Sequence, residues 1–203
     1  MYTVHGSPIS RMTRVTWMLE ELGEPYELHK ARLGTGELAG LSASGKGPVL
    51  VDGDFVLTDS AAICLYLADK HGDKGFGPRD ARERALMESW MLWALSEFEA
   101  PMWTKLKHRV LLPTEQRADV KAWVMAEFAR ESAVLERRLD GRDYAMGDRF
   151  TCVDAVVGHC GNWARSGKFE IASDAVNAYL DRVLARPAYG RALERENQLK
   201  NMS

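Results

Sequence analysis

The pattern of apolar residues changes once along this chain of 203 residues, near a glycine-rich stretch at 71–80. Before that stretch, short β-branched runs alternate with helical patterns, and after it only helical patterns occur. The stretch itself holds three glycines and one proline, a composition typical of a linker. The sequence therefore predicts an α/β domain over residues 1–75, a linker over 76–84 and an all-helical domain over 85–203.

The first domain is predicted to contain a small mixed sheet. Residues 2–5 and 25–29 have the composition of strands. A helical pattern over 13–22 separates them, so these two strands should pair in parallel. An Asp-Gly-Asp turn at 52–54 lies between two apolar runs and predicts a β-hairpin, followed by a helix over 60–70. We therefore expect four strands, parallel and antiparallel, covered by helices.

The second half of the chain carries helical periodicity alone. Pro101 is expected to kink the first of its helices, and Pro113 to separate that helix from the next. Thr151 followed by Asp154 is a variant of the capping box, with Phe150 as the hydrophobic staple, and we interpret this motif as structural. The predicted helices cover residues 84–106, 115–139, 153–163 and 173–185, and another follows Pro187.

Charge and cysteine content argue against several classes of function. A net charge of −2 without massed basic residues argues against a nucleic-acid partner. No apolar run approaches the roughly 18 residues of a membrane span, and a signal peptide is not expected. Three scattered cysteines predict a reducing, cytoplasmic location rather than a disulfide framework. The five histidines show no ligand spacing, so no metal is expected.

The junction between the first strand and the first helix is the most informative segment. The strand runs through Gly-Ser-Pro at 6–8 into the helix, which places hydroxyls and unpaired backbone N–H groups where an anion is stabilised. A second piece follows, with Gly47-Pro48 before the hairpin and Asp59-Ser60 at the start of the next helix. Taken singly, each hydroxyl or carboxylate could simply cap its helix.

With these motifs in this order, the chain resembles the glutathione transferases over nearly its full length, most closely the bacterial and serine-type members. The resemblance implies a thioredoxin-like first domain, an all-α second domain, glutathione as co-substrate and a homodimer. Serine-type members carry a Gly-x-Pro-x-Ser pattern, matched here at Gly6, Pro8 and Ser10. The Ser10 hydroxyl would donate a hydrogen bond to the glutathione sulfur, lowering a thiol pKa that is otherwise about 8.5.

Neighbouring residues compete with Ser10 for the contact with sulfur. His5 occupies about the place of the tyrosine in tyrosine-type members, and its imidazole titrates near neutral pH, so it is the second candidate for the catalytic role. Ser7 and Thr13 are further candidates, and Arg11 could assist. The residues alone leave the choice open.

The resemblance also implies the rest of the glutathione site. Gly47-Pro48 matches the cis-proline position, where the backbone of residue 47 would contact the cysteinyl part; the family usually has a branched residue there instead of glycine. Ser60 would bind the γ-glutamyl carboxylate, and Asp59 its ammonium group. Lys46 would pair with the glycine carboxylate.

The electrophile is expected to contact Met102 and Trp103, just beyond Pro101, where the family borders its substrate pocket. The predicted activity is conjugation of glutathione to small hydrophobic electrophiles, as in detoxification. One alternative is a glutathione-dependent thiol–disulfide reductase or peroxidase on the same fold, but a reductase needs a cysteine near Ser10, and none precedes Cys64. The other is a non-catalytic interaction protein that kept the fold.

Overall fold

The computed structural model describes residues 1–31 and 36–202, which form two compact units. One unit holds Met1–Arg84 together with the chain from Leu184 onward, and the other is Ala85–Val183. The domain predicted over 85–203 included the C-terminal helix, which the structure instead groups with the first unit because it packs against the first helix. The predicted boundaries themselves stay a prediction.

The first unit contains a four-stranded sheet with the order β2-β1-β3-β4. Strand β1 (Tyr2–Gly6) pairs in parallel with β2 (Tyr26–Lys30) and antiparallel with β3 (Val49–Asp52). Strand β4 (Phe55–Thr58) completes the hairpin with β3, and a short helix, α2 (Gly36–Ala39), precedes it. The predicted mixed sheet is confirmed.

The central helix of this unit is α1 (Met12–Leu22), which is buried along most of its length. It packs against α3 (Ser60–Lys70) and α9 (Pro187–Asn201). Because buried polar groups need hydrogen-bond partners, polar side chains inside this packing mark where the elements are tied together. Those on α1 are Thr13, Arg14 and Thr16.

The helical unit departs from the sequence-based elements where α4 (Ala81–Trp93) ends. A π-helical turn, Ala94–Phe98, separates it from α5 (Ala100–Leu106), so the helix predicted over 84–106 is interrupted. Pro101 lies in the first turn of α5, where its missing N–H leaves no hydrogen bond unmade. The break therefore lies just before the proline that was expected to produce the kink.

Helix α6 (Lys121–Leu139) begins later than the predicted residue 115. Residues 114–116 form a 3-10 turn after Pro113. The guanidinium of Arg117 then donates hydrogen bonds to the carbonyls of Leu112 and Val110, at 2.9 and 3.1 Å, which holds the chain extended before the helix starts. Helices α7 (Cys152–Ser166) and α8 (Asp174–Leu184) follow.

The predicted capping box at the start of α7 is confirmed. The Asp154 carboxylate is fully buried and accepts hydrogen bonds from the backbone N–H and hydroxyl of Thr151, at 2.8 and 3.0 Å. It also accepts from the Ala145 N–H at 2.7 Å and the Tyr179 hydroxyl at 2.9 Å. Burial raises the pKa of Asp154, while these four donors oppose that shift.

Within residues 1–31 and 36–202, no helix is long and apolar enough to cross a membrane.

Candidate active site

Strand ends and helix starts meet at one end of the sheet. His5 near the end of β1 pairs with Val49 at the start of β3, and Val49 pairs with Thr58 at the end of β4. The chain leaves β1 toward α1 and leaves β4 toward α3, so both helices begin at this end. Their N-terminal N–H groups and dipoles make this end of the sheet favourable for an anion.

The Gly47-Pro48 segment lies directly against the end of β1. The peptide bond between these two residues is cis, as the resemblance implied. A Cβ atom on Gly47 would lie 3.1 Å from both the Cα of Gly6 and the carbonyl oxygen of His5. This close backbone approach accounts for glycine at a position where a branched residue was expected from the family pattern.

The start of α3 combines an unusual backbone with a buried hydroxyl. Asp59 has φ +68° and ψ 113°, a conformation that residues other than glycine rarely adopt, and its side chain is exposed. Ser60 is 5% exposed, and its Oγ accepts a hydrogen bond from Nη1 of the fully buried Arg14 at 3.1 Å. Backbone strain of this kind persists only where the surroundings impose it, and it concentrates at ligand sites.

Ser10 lies in the turn that precedes α1. Its hydroxyl donates to the carbonyl oxygen of Ser7 at 2.5 Å and accepts from the N–H of Met12 at 3.3 Å. The side chain thus stabilises the start of the helix, the structural role that the sequence left open. If the hydroxyl rotates away from Ser7, it can donate the same hydrogen bond to a ligand sulfur.

The rivals of Ser10 differ in accessibility. Thr13 is buried, and its hydroxyl donates to Oε2 of Glu196 at 2.9 Å, so this proton is already engaged inside the fold. His5 stacks on His29 with ring centroids 4.8 Å apart. Burial and then the neighbouring His29 lower the pKa of His5, which favours its neutral imidazole. Ser7 is exposed and Arg11 is partly exposed.

The remaining predicted site residues are Lys46, in the first unit, and Met102 and Trp103, in the helical unit. Lys46 is exposed. On α5, Met102 is 1% exposed and Trp103 is partly exposed, so of the two only Trp103 presents side-chain surface to solvent. In the described parts of the chain, no group of three or more His, Cys, Asp or Glu side chains is placed to hold a metal ion.

Sequence reasoning missed two buried charged residues, Arg14 and Glu196. Arg14 falls four residues before Met18 on the apolar face of α1, and a charge inside an apolar stripe was a signal that could have identified it. Glu196 had no comparable signal, because its partners on α1 are more than 170 residues away in the chain.

Comparisons with known proteins agree with this architecture over both units. A family model of the Glutathione S-transferase N-terminal domain matches residues 1–75, and one of the C-terminal domain matches residues 98–187. Glutathione S-transferase PARB from Nicotiana tabacum is 31% identical over 210 residues, covering 95% of this chain and 97% of that protein.

Solved structures show the same similarity. A glutathione transferase from Methylococcus capsulatus has a TM-score of 0.86 at 25% identity, covering 98% of this chain and 100% of that one. A sphingomonad glutathione S-transferase complexed with glutathione has a TM-score of 0.83 at 27% identity, covering 96% of this chain and 98% of that one.

Proposed function

Because this chain belongs to the glutathione S-transferase family and is a glutathione transferase, we propose that it binds glutathione where α1 and α3 begin and conjugates the thiolate to small hydrophobic electrophiles. The observation that carries this proposal is the start of α3. There a strained, exposed Asp59 precedes a buried Ser60 whose hydroxyl is oriented by Arg14.

Each part of glutathione has a matching group in this proposal. The γ-glutamyl carboxylate lies at the N-terminus of α3, bound by Ser60, and Asp59 pairs with its ammonium group. The backbone N–H and C=O of Gly47 contact the cysteinyl part, next to the cis Pro48. The exposed Lys46 pairs with the glycine carboxylate of glutathione at the protein surface.

Ser10 is the proposed catalytic residue. Its hydroxyl exchanges the Ser7 carbonyl for the glutathione sulfur, donates a hydrogen bond to it and favours the thiolate, while the thiol proton passes to solvent water. The dipole of α1 acts in the same direction, since the sulfur lies near the helix N-terminus. The thiolate electron pair then forms the carbon–sulfur bond, and the electrophile releases its leaving group or takes up a proton from water.

The electrophile site and the cellular setting are finer parts of the same proposal. Met102 and Trp103 on α5 contact the apolar electrophile. We extend the proposal to a homodimer and a role in detoxification, which the family resemblance supports, and to a cytoplasmic location, which cysteine usage supports. Cys64, Cys152 and Cys160 are all buried.

The reductase alternative is disfavoured by those same cysteines. Mixed-disulfide exchange needs an accessible thiolate. Burial raises the pKa of the Cys64 thiol to about 12, and Cys152 and Cys160 are fully buried as well. Reduction of a glutathione mixed disulfide by a variant lacking all three cysteines would show that this reasoning is wrong.

The test is an ultraviolet titration of protein-bound glutathione, in which the thiolate absorption band is followed across pH. We expect the band to persist well below the thiol pKa of free glutathione. Ser10→Ala should raise the pKa of the bound thiol by about one to two units, because a hydrogen bond to a charged group contributes about 1.5–3 kcal/mol. Glutathione affinity should stay nearly unchanged at pH values below the pKa of the bound thiol, where the bound form is the neutral thiol.

Ser7→Ala is the matched control, because the hydrogen bond from Ser10 goes to the backbone carbonyl of Ser7, which the substitution keeps. An unchanged rate in Ser10→Ala together with an inactive His5→Ala would transfer the catalytic role to His5. A wild-type protein that binds glutathione without a thiolate band would overturn the proposed ionisation.

A further inference from the structure

A buried carboxylate from the C-terminal helix contacts the segment that carries Ser10. Glu196 on α9 has no solvent-exposed surface. Its Oε2 accepts hydrogen bonds from the backbone N–H of Ile9 at 2.5 Å and from the Thr13 hydroxyl at 2.9 Å. Its Oε1 accepts from the Thr16 hydroxyl at 2.5 Å. One side chain therefore ties the turn before α1 to the helix itself.

Ile9 is the residue in this turn whose conformation needs explanation. Its φ is +55°, which is a genuine outlier for a β-branched residue. Its side chain is 45% exposed, so apolar burial offers little compensation for the strain. The hydrogen bond from its N–H to Glu196 is the contact that holds the backbone in this conformation.

The position of Ser10 depends on that conformation. Ser10 follows Ile9 directly, and its hydroxyl donates back across Ile9 to the carbonyl of Ser7. A different φ at Ile9 would redirect the peptide between Ile9 and Ser10 and move the hydroxyl. The strained residue and the proposed catalytic residue therefore share one turn with one external anchor.

We propose that Glu196 is a positioning residue, which sets the Ser10 hydroxyl for the glutathione sulfur by anchoring the N–H of Ile9. This inference rests on the proposed function of Ser10. It assigns the C-terminal helix a part in thiol activation, although Glu196 does not touch the reacting atoms. Burial raises the pKa of Glu196, and the donated hydrogen bonds from Thr16, Ile9 and Thr13 oppose that shift.

Glu196→Gln is the test, because it keeps the size of the side chain and replaces one acceptor oxygen with an NH₂ donor. We expect turnover to fall by about tenfold to a hundredfold, the effect of misplacing a catalytic group, while the dissociation constant of glutathione changes less than about twofold. The pKa of the bound thiol should rise as well, which a purely structural role would not produce. Glu194→Gln is the matched control, since Glu194 is an exposed residue of the same helix.

Amide hydrogen exchange at Ile9 tests the anchor without glutathione. In the wild-type protein we expect strong protection of this N–H despite the exposed side chain, and loss of protection in Glu196→Gln. An unprotected Ile9 amide in the wild type overturns the inference, even if the variant fails to fold.

The two proposals fail in different ways. Absence of a thiolate band in the wild-type protein overturns the role of Ser10 and this inference with it. A wild-type band that is unchanged in Glu196→Gln overturns this inference alone.

Discussion

Helices α3 and α7 both begin with hydroxyl and carboxylate side chains, and they use them in different ways. At α7, Thr151 and Asp154 are fully buried, and Asp154 accepts four hydrogen bonds from its own fold. At α3, Asp59 is exposed and forms no capping hydrogen bond with its side chain among the described residues. The hydrogen-bonding groups at the start of α7 are satisfied within the protein, whereas the start of α3 keeps its carboxylate at the surface.

This difference separates a structural cap from a ligand site where side-chain type alone does not. A saturated cap stabilises the fold by satisfying orphan N–H groups. An open helix start leaves those groups to a bound anion and accepts backbone strain at Asp59. Substitutions at α7 should therefore change stability, and substitutions at α3 should change affinity for glutathione.

Asp154→Ala should have the largest effect. It leaves the Ala145 N–H, the Thr151 donors and the Tyr179 hydroxyl without their common acceptor inside the protein. We expect the free energy of unfolding to fall by about 3–5 kcal/mol, measured by urea denaturation. Asp59→Ala is the control at the other helix start, and an equal loss of stability there would remove the distinction.

Ser60→Ala and Thr151→Ala form a crossed pair. Ser60→Ala should weaken glutathione binding by about 1–3 kcal/mol, because the carboxylate of the ligand loses a hydrogen-bond donor. Thr151→Ala should lower stability by about 0.5–2 kcal/mol and leave affinity unchanged. Calorimetric titration with glutathione and urea denaturation of both variants check the pair. A loss of affinity in Thr151→Ala would contradict the division of roles.

Much of the contrast was predictable from local sequence. The capping box was identified from the three-residue spacing of Thr151 and Asp154, and the mixed sheet from strand and helix periodicity. Local patterns also identified Asp59 and Ser60, but they could not decide between a cap and a ligand site. That decision depends on burial and on the positive φ of Asp59, which the tertiary structure imposes.

The rest depended on contacts between distant parts of the chain. Arg14 orients Ser60 across 46 residues, and Glu196 reaches Ile9 across 187. The charge of Arg14 inside an apolar stripe marks it as unusual, but periodicity identifies no partner for Arg14 or for Glu196. The late start of α6 was missed for a similar reason, since the hydrogen bonds of Arg117 compete with helix propensity.

Asp59→Gly should have a smaller effect, with opposite signs in stability and binding. Glycine adopts φ +68° without strain, so relief of about 1–3 kcal/mol is offset by a loss of about 0.5–1 kcal/mol in chain entropy. We expect stability to rise by about 1 kcal/mol and affinity for glutathione to fall by about 0.2–1 kcal/mol. Thermal denaturation and calorimetry measure the two effects. A destabilised Asp59→Gly would mean that the side chain at this position supports the fold, as at α7.

Mild acid should give the smallest effect on stability. Protonation of His5 and protonation of Asp154 should change the free energy of unfolding with opposite sign. Burial and then His29 lower the pKa of His5 in the folded protein, so between that pKa and about 6.5 the unfolded chain binds more protons and stability falls as pH decreases. Burial raises the pKa of Asp154, so its contribution to stability falls as pH increases above about 3.9. Urea midpoints measured from pH 7 downward in His5→Gln should lose the first dependence and keep the second. If His5→Gln retained the full loss of stability near pH 6, another group would be responsible for it. Protonation of His5 would then not destabilise the folded protein.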